Sequence, residues 1–170
     1  MPYTFQQLNQ SDGATFVAAL GHLFEHSPWV AERTWERRPF RDPMGLHAEL
    51  CATMRASPLS QQMALIQAHP DLAGRLARQN QLTADSTREQ ASAGLNRLTA
   101  EELADFQRRN DAYRAKFGFP FIICARLNAK EEIIAAMSAR LGHTFEAERA
   151  AALGEIEKIA WLRLQDVLAG

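Results

Sequence analysis

The chain has 170 residues, 46% of them hydrophobic and 23% charged, with a formal net charge of −1. These values fit one globular domain with a sizeable core and give no support for a nucleic-acid or anionic-membrane partner. No apolar run approaches the roughly 18 residues of a membrane-spanning helix. Two cysteines, Cys51 and Cys124, argue against a disulfide framework and suit a reducing compartment. Neither end of the chain carries a secretory or peroxisomal signal, so we expect a cytoplasmic protein.

Helical periodicity begins early in the chain. From Gly13 to Glu25 the apolar residues recur at helical spacing, and Ser11 or Asp12 can cap the start of this helix. Two further helices are predicted, from about Pro43 to Met54 and from about Ser57 to Gln67, the latter with a proline at its start.

The second half of the chain carries capping signals. The segment Thr99–Glu102 is a capping box, and the helix it opens should stop at Gly118. Asn128–Glu131 has a similar signature and opens a helix that ends near Gly142. Thr144–Leu168 forms the last long helix. We therefore predict an all-α fold, a single domain over residues 1–170 with about seven or eight helices.

His69 lies at a break between elements. Pro70 biases it away from helical geometry, after an apolar helix. An imidazole suits proton transfer near neutrality because its unperturbed pKa is about 6.5. The alternative is a His-Pro turn in which the ring bonds a backbone group.

The segment Ser86–Gln90 has two interpretations. Ser86 and Glu89 match a capping box, which is a purely structural role. A helix starting there would also present backbone N–H groups to a carboxylate or carbonyl oxygen, with Glu89 in the first turn.

Within the segment Phe117–Ala125, residues Phe119–Ala125 are the only continuous apolar run with some β character, and Pro120 argues against a central strand. It is either a helix stop followed by a buried segment, or an apolar wall of a ligand site with available backbone N–H groups.

Arg163 falls inside the apolar stripe of the last helix. A buried guanidinium needs an acidic partner, a bound anion or an exit to solvent. A structural ion pair, snorkelling and a substrate contact all remain open.

One motif resembles a zinc site. His22, Glu25 and His26 match the H-x-x-E-H pattern of some metalloproteases. On a helical wheel both imidazoles point away from the apolar face, so we expect no metal there, and neither cysteine has a histidine at ligand spacing.

Taken together, these segments resemble the OHCU decarboxylase family over roughly residues 5–168. The resemblance rests on the order and spacing of five segments: Phe24–Trp29, His69–Gly74, Ser86–Leu95, Phe117–Phe121 and Glu155–Leu164. It implies conversion of 2-oxo-4-hydroxy-4-carboxy-5-ureidoimidazoline (OHCU) to (S)-allantoin by an all-α protein, usually a homodimer, without a metal or organic cofactor.

The resemblance also implies site residues. His69 is the expected catalytic proton donor, and we assign Glu89 to orient the substrate hydroxyl. The residues expected to contact substrate are Pro70, Ser86, Thr87, Arg88, Glu89, Gln90, Phe119, Phe121, Ile122, Ile123, Cys124, Ala125 and Arg163. Two alternatives stay open: another lyase or hydrolase acting on a related ureide, and a non-enzymatic helical interaction module with Phe119, Phe121 and Arg163 on its surface.

Overall fold

The computed structural model describes residues 3–169, except for the side chains of residues 76 and 78. Within this range the chain forms ten α-helices and one short 3-10 helix, and no β-strand. Seven of the α-helices have eight or more residues, so the prediction of an all-α fold with about seven or eight helices is confirmed.

The helices follow each other with short connections. In chain order they are α1 (Phe5–Gln10), α2 (Gly13–Leu20), α3 (Trp29–Trp35), α4 (Pro43–Ala56), α5 (Leu59–Ala68), α6 (Arg75–Arg78), α7 (Ala84–Ser92), α8 (Ala100–Phe117), the 3-10 helix (Ala125–Leu127), α9 (Lys130–Arg140) and α10 (Phe145–Ala169). None of the helices within residues 3–169 combines the length and the hydropathy that crossing a membrane requires.

The chain divides into two compact units. The first unit contains the described residues up to Ala68 and those from Glu157 onward, and the second unit is His69–Ile156. Helix α10 therefore contributes its N-terminal part to the second unit and its C-terminal part to the first.

Each unit has its own core. In the first unit α3 packs against both α2 and α4, and the core includes the fully buried Leu8, Phe16, Leu46, Leu50 and Leu164. In the second unit the core is aromatic: the ring of Tyr113 lies 4.6 Å from that of Phe117, 5.9 Å from that of Phe119 and 5.3 Å from that of Phe121.

Helix α2 ends at Leu20, not at Glu25 as predicted. The Gly21 N–H still bonds the Val17 carbonyl, but a Cβ on Gly21 would lie 2.7 Å from that oxygen. Residues 21–28 then form turns, with a positive φ of 47° at His26. The chain thus leaves the helix at a glycine whose neighbourhood has no room for a side chain.

The local capping signals later in the chain were mostly correct. Thr99 and Glu102 form the predicted reciprocal capping box, and Gly118 ends α8 in the left-handed conformation at φ 76°. The Thr144 hydroxyl accepts from the N–H of Ala147 at the start of α10. Helix α9 is capped one residue later than predicted, at Ala129, because the Asn128 amide instead donates to the Cys124 carbonyl.

Candidate active site

His69 is the first residue after α5, which confirms the predicted helix end. His69 is buried, with only 7% of the residue exposed. A buried imidazole at the junction between a helix and a loop has a fixed position, as a proton donor requires.

The loop that follows His69 is held by α7. The Gln90 side chain accepts from the Ala73 N–H at 2.9 Å through Oε1 and donates to the Asp71 carbonyl at 3.3 Å through Nε2. Gln90 was predicted to contact substrate; both ends of its amide bond this loop. It therefore fixes α7 against the residues just after His69.

Helix α8 holds the same loop from another side. The Asn110 amide donates to the Leu72 carbonyl at 2.9 Å, and the Arg114 Nε donates to the Asp71 carboxylate at 2.9 Å. Gly74 completes the loop, since a Cβ there would lie 2.7 Å from the Asp71 Cβ. The residue types at positions 71–74 are thus explained by contacts within the loop and between the loop and α8.

Helix α7 does not begin at Ser86, so the predicted capping box of Ser86 and Glu89 is wrong. Thr83 is the cap: its hydroxyl accepts from the Ser86 N–H at 3.2 Å, and its carbonyl accepts from the Thr87 N–H at 2.9 Å. Glu89 consequently lies in the second turn. The backbone N–H groups of residues 86–90 are inside the helix or used by its cap, and so are not the ligand donors we expected.

The predicted residues of α7 fall on two faces. Ser86 and Gln90 are buried and Glu89 is partly buried, whereas Thr87 and Arg88 are exposed. The Arg88 guanidinium pairs with the Asp85 carboxylate. Residues three and four apart share a helix face, so Ser86, Glu89 and Gln90 form the inward face.

Residues 119–124 form a buried, non-helical segment, as the sequence predicted, and lead into the 3-10 helix that begins at Ala125. Its backbone is held by three side chains. The Arg140 Nη1 donates to the Ile122 carbonyl at 2.7 Å, the Glu155 carboxylate accepts from the Cys124 N–H at 3.2 Å, and the Asn128 amide donates to the Cys124 carbonyl at 2.9 Å.

This segment approaches the inward face of α7. Helix α7 packs against the 3-10 helix, and the Cys124 thiol feels the charge of Glu89. Burial raises the pKa of the Cys124 thiol, and the carboxylates of Glu155 and Glu89 raise it further. A raised pKa keeps the Cys124 thiol protonated near neutral pH, which disfavours a nucleophilic role.

A buried cluster of polar side chains contacts this segment through Arg140. The Glu148 carboxylate, on a fully buried residue, accepts from the Tyr113 hydroxyl at 2.7 Å and from Arg140 at 2.8 Å, with the His143 ring at 3.4 Å. The Arg140 guanidinium lies 4.3 Å from the centre of the Phe121 ring. Burial, and then the Glu148 carboxylate, raise the pKa of the Tyr113 hydroxyl.

Arg163 lies in the first unit. Its residue is 2% exposed, and its Nη1 contacts the Glu25 carboxylate at 2.9 Å and the His22 carbonyl at 3.0 Å. Arg163 thus has the acidic partner that a buried guanidinium needs. The prediction that it contacts substrate stays a prediction.

The histidine motif of the first unit does not form a metal site. His22 and His26 are exposed, as predicted, while Glu25 is buried against Arg163. Over the part of the chain that the structure describes, no group of three or more histidine, cysteine, aspartate or glutamate residues is arranged to hold a metal ion.

A cavity of about 490 Å³ lies beside α7. Ala73, Thr87 and Gln90 line it, together with a set of leucines: Leu82, Leu95, Leu98 and Leu103. Its volume suits a small molecule. Its lining contains neither His69 nor Glu89, so we do not place the reaction there.

The second unit therefore brings three of the four predicted segments together: the loop after His69, the inward face of α7 and residues 119–125. The residues that hold these segments were not predicted from the sequence: Asn110, Arg114, Arg140, Glu148 and Glu155. One signal was available, because Asn110 interrupts the buried stripe Phe106, Tyr113 and Phe117 of α8.

Comparisons with known proteins identify the family of this chain. The OHCU decarboxylase family model matches residues 9–165. A 2-oxo-4-hydroxy-4-carboxy-5-ureidoimidazoline decarboxylase of Amia calva is 41% identical over 163 residues, which cover 96% of this chain and 93% of the relative. A protein of the same name from Halalkalicoccus jeotgali is 42% identical over 164 residues, covering 96% of this chain and 91% of the relative.

A solved structure is also similar. The crystal structure of an (S)-allantoin synthase matches with a TM-score of 0.79 and 32% sequence identity, covering 98% of this chain and 54% of that chain. The similarity spans both units, from the first helices to α10. The chain belongs to the OHCU decarboxylase family.

Proposed function

We propose that this chain decarboxylates OHCU to (S)-allantoin in urate breakdown, without a metal or organic cofactor. The observation that carries the proposal is the 41% identity to the Amia calva decarboxylase across 96% of the chain. The buried His69 and the partly buried Glu89, each on a separately anchored element of the second unit, supply the acid-base groups that such a reaction uses.

The substrate makes a cofactor unnecessary. A carboxylate and a hydroxyl share one ring carbon, beside an electron-poor C=N carbon. When carbon dioxide leaves, the electron pair of the broken C–C bond forms a C=C bond to that neighbour, and the C=N electrons move to nitrogen, which takes a proton. The substrate thus supplies its own electron sink, and the protein supplies positioning and proton transfer.

We assign the proton transfers to two side chains. Glu89 orients the substrate hydroxyl and accepts its proton as the hydroxyl becomes a carbonyl. His69 donates or relays the proton that the neighbouring carbon takes. Because His69 is held by a rigid loop, protonation occurs from one face, and this gives the (S) product.

The buried segment supplies the apolar side of the site. Phe119, Phe121 and Ile122 form a dry wall on which the carboxylate is poorly solvated, so its loss as neutral carbon dioxide is favoured. The raised pKa of Cys124 keeps a second negative charge away from this wall. Pro70, Ser86 and Gln90 shape the opposite side.

The resemblance carries two further proposals for this chain, a homodimeric state and a cytoplasmic location. Light scattering during size-exclusion chromatography measures the first, and a mass of one chain in solution would contradict it. Localisation of the tagged chain in its own cell tests the second.

The direct test is circular dichroism during turnover of OHCU, generated freshly from urate by a urate oxidase and a hydroxyisourate hydrolase. We expect (S)-allantoin to accumulate faster than in the spontaneous reaction. Removing the proton donor with His69→Asn should lower kcat by about 100-fold or more, while the far-ultraviolet spectrum stays helical.

The matched control is His26→Asn. His26 is exposed and has a positive φ of 47°, a conformation that asparagine adopts readily. This variant should keep full activity. If the unmodified chain yields racemic allantoin at the uncatalysed rate, the proposal is wrong; if ammonia or a ring-opened product forms instead, the chain is a different ureide-acting enzyme.

A further inference from the structure

Two features cost stability at the loop after His69, one in the loop and one on α8. Ala73 has a φ of +50°, in the left-handed region that a residue with a side chain rarely adopts. The Oδ1 atom of Asn110, which holds the loop, is buried and accepts no hydrogen bond from any described residue. Strain and unsatisfied polar atoms persist where the surrounding structure holds them for a functional reason.

Asn110 is an unexpected residue for its position. It is 1% exposed and lies among Phe106, Tyr113 and Phe117 on the buried face of α8. Leucine has a similar size and carries no polar atom of its own that needs a partner, so the packing of this helix face alone favours leucine. What an apolar residue cannot do is donate to the Leu72 carbonyl, as the Asn110 amide does at 2.9 Å.

The loop is held at three consecutive residues, 71–73, by hydrogen bonds that we call the clamp. Asp71 accepts from Arg114 through its side chain and from Gln90 through its carbonyl, Leu72 accepts from Asn110, and the Ala73 N–H donates to Gln90. Between this clamp and His69 there is only Pro70, whose ring fixes φ. Little backbone freedom therefore remains between the clamp and the imidazole.

From this geometry we propose that Asn110, assisted by Arg114, is a positioning residue that holds the His69 imidazole in place through the Leu72 carbonyl and the rigid Pro70 link. The hydrogen bond of the Asn110 amide is to the loop and not to a residue predicted to bind substrate. The inference rests on the proposed function, because it assigns Asn110 to the proton transfer of His69.

The main test is Asn110→Leu. This variant removes the unpaired Asn110 Oδ1 but takes the donor from the Leu72 carbonyl, so one unpaired acceptor replaces another and the resistance of the fold to urea should change little. A proton donor displaced by about 1 Å can lose about 100-fold in rate. We expect kcat to fall by about that factor while KM changes by less than about threefold, since the loss is confined to the transition state. The (S) excess of the allantoin should also fall.

A second pair of variants covers the case in which Asn110→Leu does not fold. Arg114 is 40% exposed, so the fold should tolerate its replacement. Arg114→Gln breaks the ion pair with Asp71 and should lower kcat by about tenfold, whereas Arg114→Lys should restore much of the lost rate because it can still pair with Asp71. Arg108→Gln is the matched control: it breaks an exposed pair with Asp105 on the same helix and should leave kcat unchanged.

A readout without substrate separates this inference from the proposed function. The ring signals of His69 in a nuclear magnetic resonance spectrum, assigned by their loss in His69→Asn, should shift or broaden in Asn110→Leu and Arg114→Gln but not in Arg108→Gln. If the unmodified chain does not turn over OHCU, the proposed function fails, yet these signals still test the clamp. Unchanged His69 signals together with normal kcat, in Asn110→Leu or, should it not fold, in Arg114→Gln, would overturn the inference.

Discussion

Arg163 and Glu25 form a buried ion pair in which each charge compensates the other. Both side chains are 2% exposed and lie 2.9 Å apart. A carboxylate and a guanidinium removed from water stabilise a fold only as a pair, and removing either one leaves an uncompensated charge. The sequence placed Arg163 on the buried face of its helix, but its partner Glu25 lies 138 residues earlier, and the sequence indicated it only as part of the H-x-x-E-H motif.

Substitutions of this pair can separate a purely structural role of Arg163 from a role in substrate binding. Glu25→Gln or Arg163→Met alone should lower the free energy of unfolding by about 3 kcal/mol, because each leaves one buried charge. The double variant has no buried charge and should recover much of that loss. If Arg163 also binds substrate, the double variant should remain at least about 100-fold less active although it is stable.

Urea unfolding and kcat/KM are measured for the unmodified chain, the two single variants and the double variant. Equal activity of the double variant and the unmodified chain would assign Arg163 a structural role alone. A double variant that is no more stable than the two single ones would instead show that the pair is not the interaction that holds these side chains.

At the scale of the helices, the sequence predicts a helix end correctly where one capping signal is present, and fails where two signals overlap. Thr99 and Gly118 mark the two ends of α8 correctly because cap chemistry acts within a few residues. Ser86 was misplaced because two overlapping signals exist, and Thr83, three residues earlier, provides the cap that adds a turn. The short helices α1, α3 and α6 contain too few residues for a clear apolar period.

The arrangement of the site was predictable only in part. The sequence identified His69, Glu89 and the buried segment as separate features. The contacts that hold the loop after His69 join residues 38 and 43 positions apart, Leu72 with Asn110 and Asp71 with Arg114. Such pairings depend on how helices pack, which periodicity along one helix does not determine.

The cap of α4 gives a prediction for pH. The Asp42 carboxylate accepts from the Gly45 N–H at 2.7 Å, and this hydrogen bond, followed by that from Arg41, lowers the pKa of Asp42 below its ordinary value. A lowered folded-state pKa adds stability above the unfolded pKa, about 3.9, and that stability is lost as the pH falls through the folded value.

Asp42→Asn keeps a capping side chain but removes this titration. We expect the unmodified chain to melt about 2 °C above the variant at pH 7, and this advantage to shrink as the pH falls below the unfolded pKa of about 3.9. Thermal unfolding across this pH range measures it. Glu36→Gln is the control, since it removes an exposed carboxylate that caps no helix N-terminus. A difference that is the same at pH 7 and pH 3 would contradict the prediction.

At the scale of the whole chain, the two compact units raise the question of whether they unfold together. The family match covers residues 9–165 and so includes both. Helix α10 is continuous from Phe145 to Ala169 and belongs to both units. Because a helix propagates cooperatively and its two parts bury Leu153 and Leu164 in their respective units, we predict a single cooperative domain.

The positions of the tryptophans make this prediction measurable. All three, Trp29, Trp35 and Trp161, belong to the first unit, so tryptophan fluorescence reports on that unit. Alkylation of Cys124, which is buried with a raised pKa, reports on opening of the second. We expect both probes to give the same urea midpoint.

A pair of core variants makes the test sharper. Leu50→Ala opens a cavity in the first unit and Met137→Ala one in the second, and each should cost about 3 kcal/mol. In one cooperative domain either substitution moves both probes by the same amount, since the folded state is lost as a whole. If Met137→Ala shifts only the Cys124 transition and leaves the fluorescence transition in place, the units are separate domains. A long helix shared between the two units would then not be enough to couple their unfolding, and the rigidity that the His69 loop needs would have to come from the second unit alone.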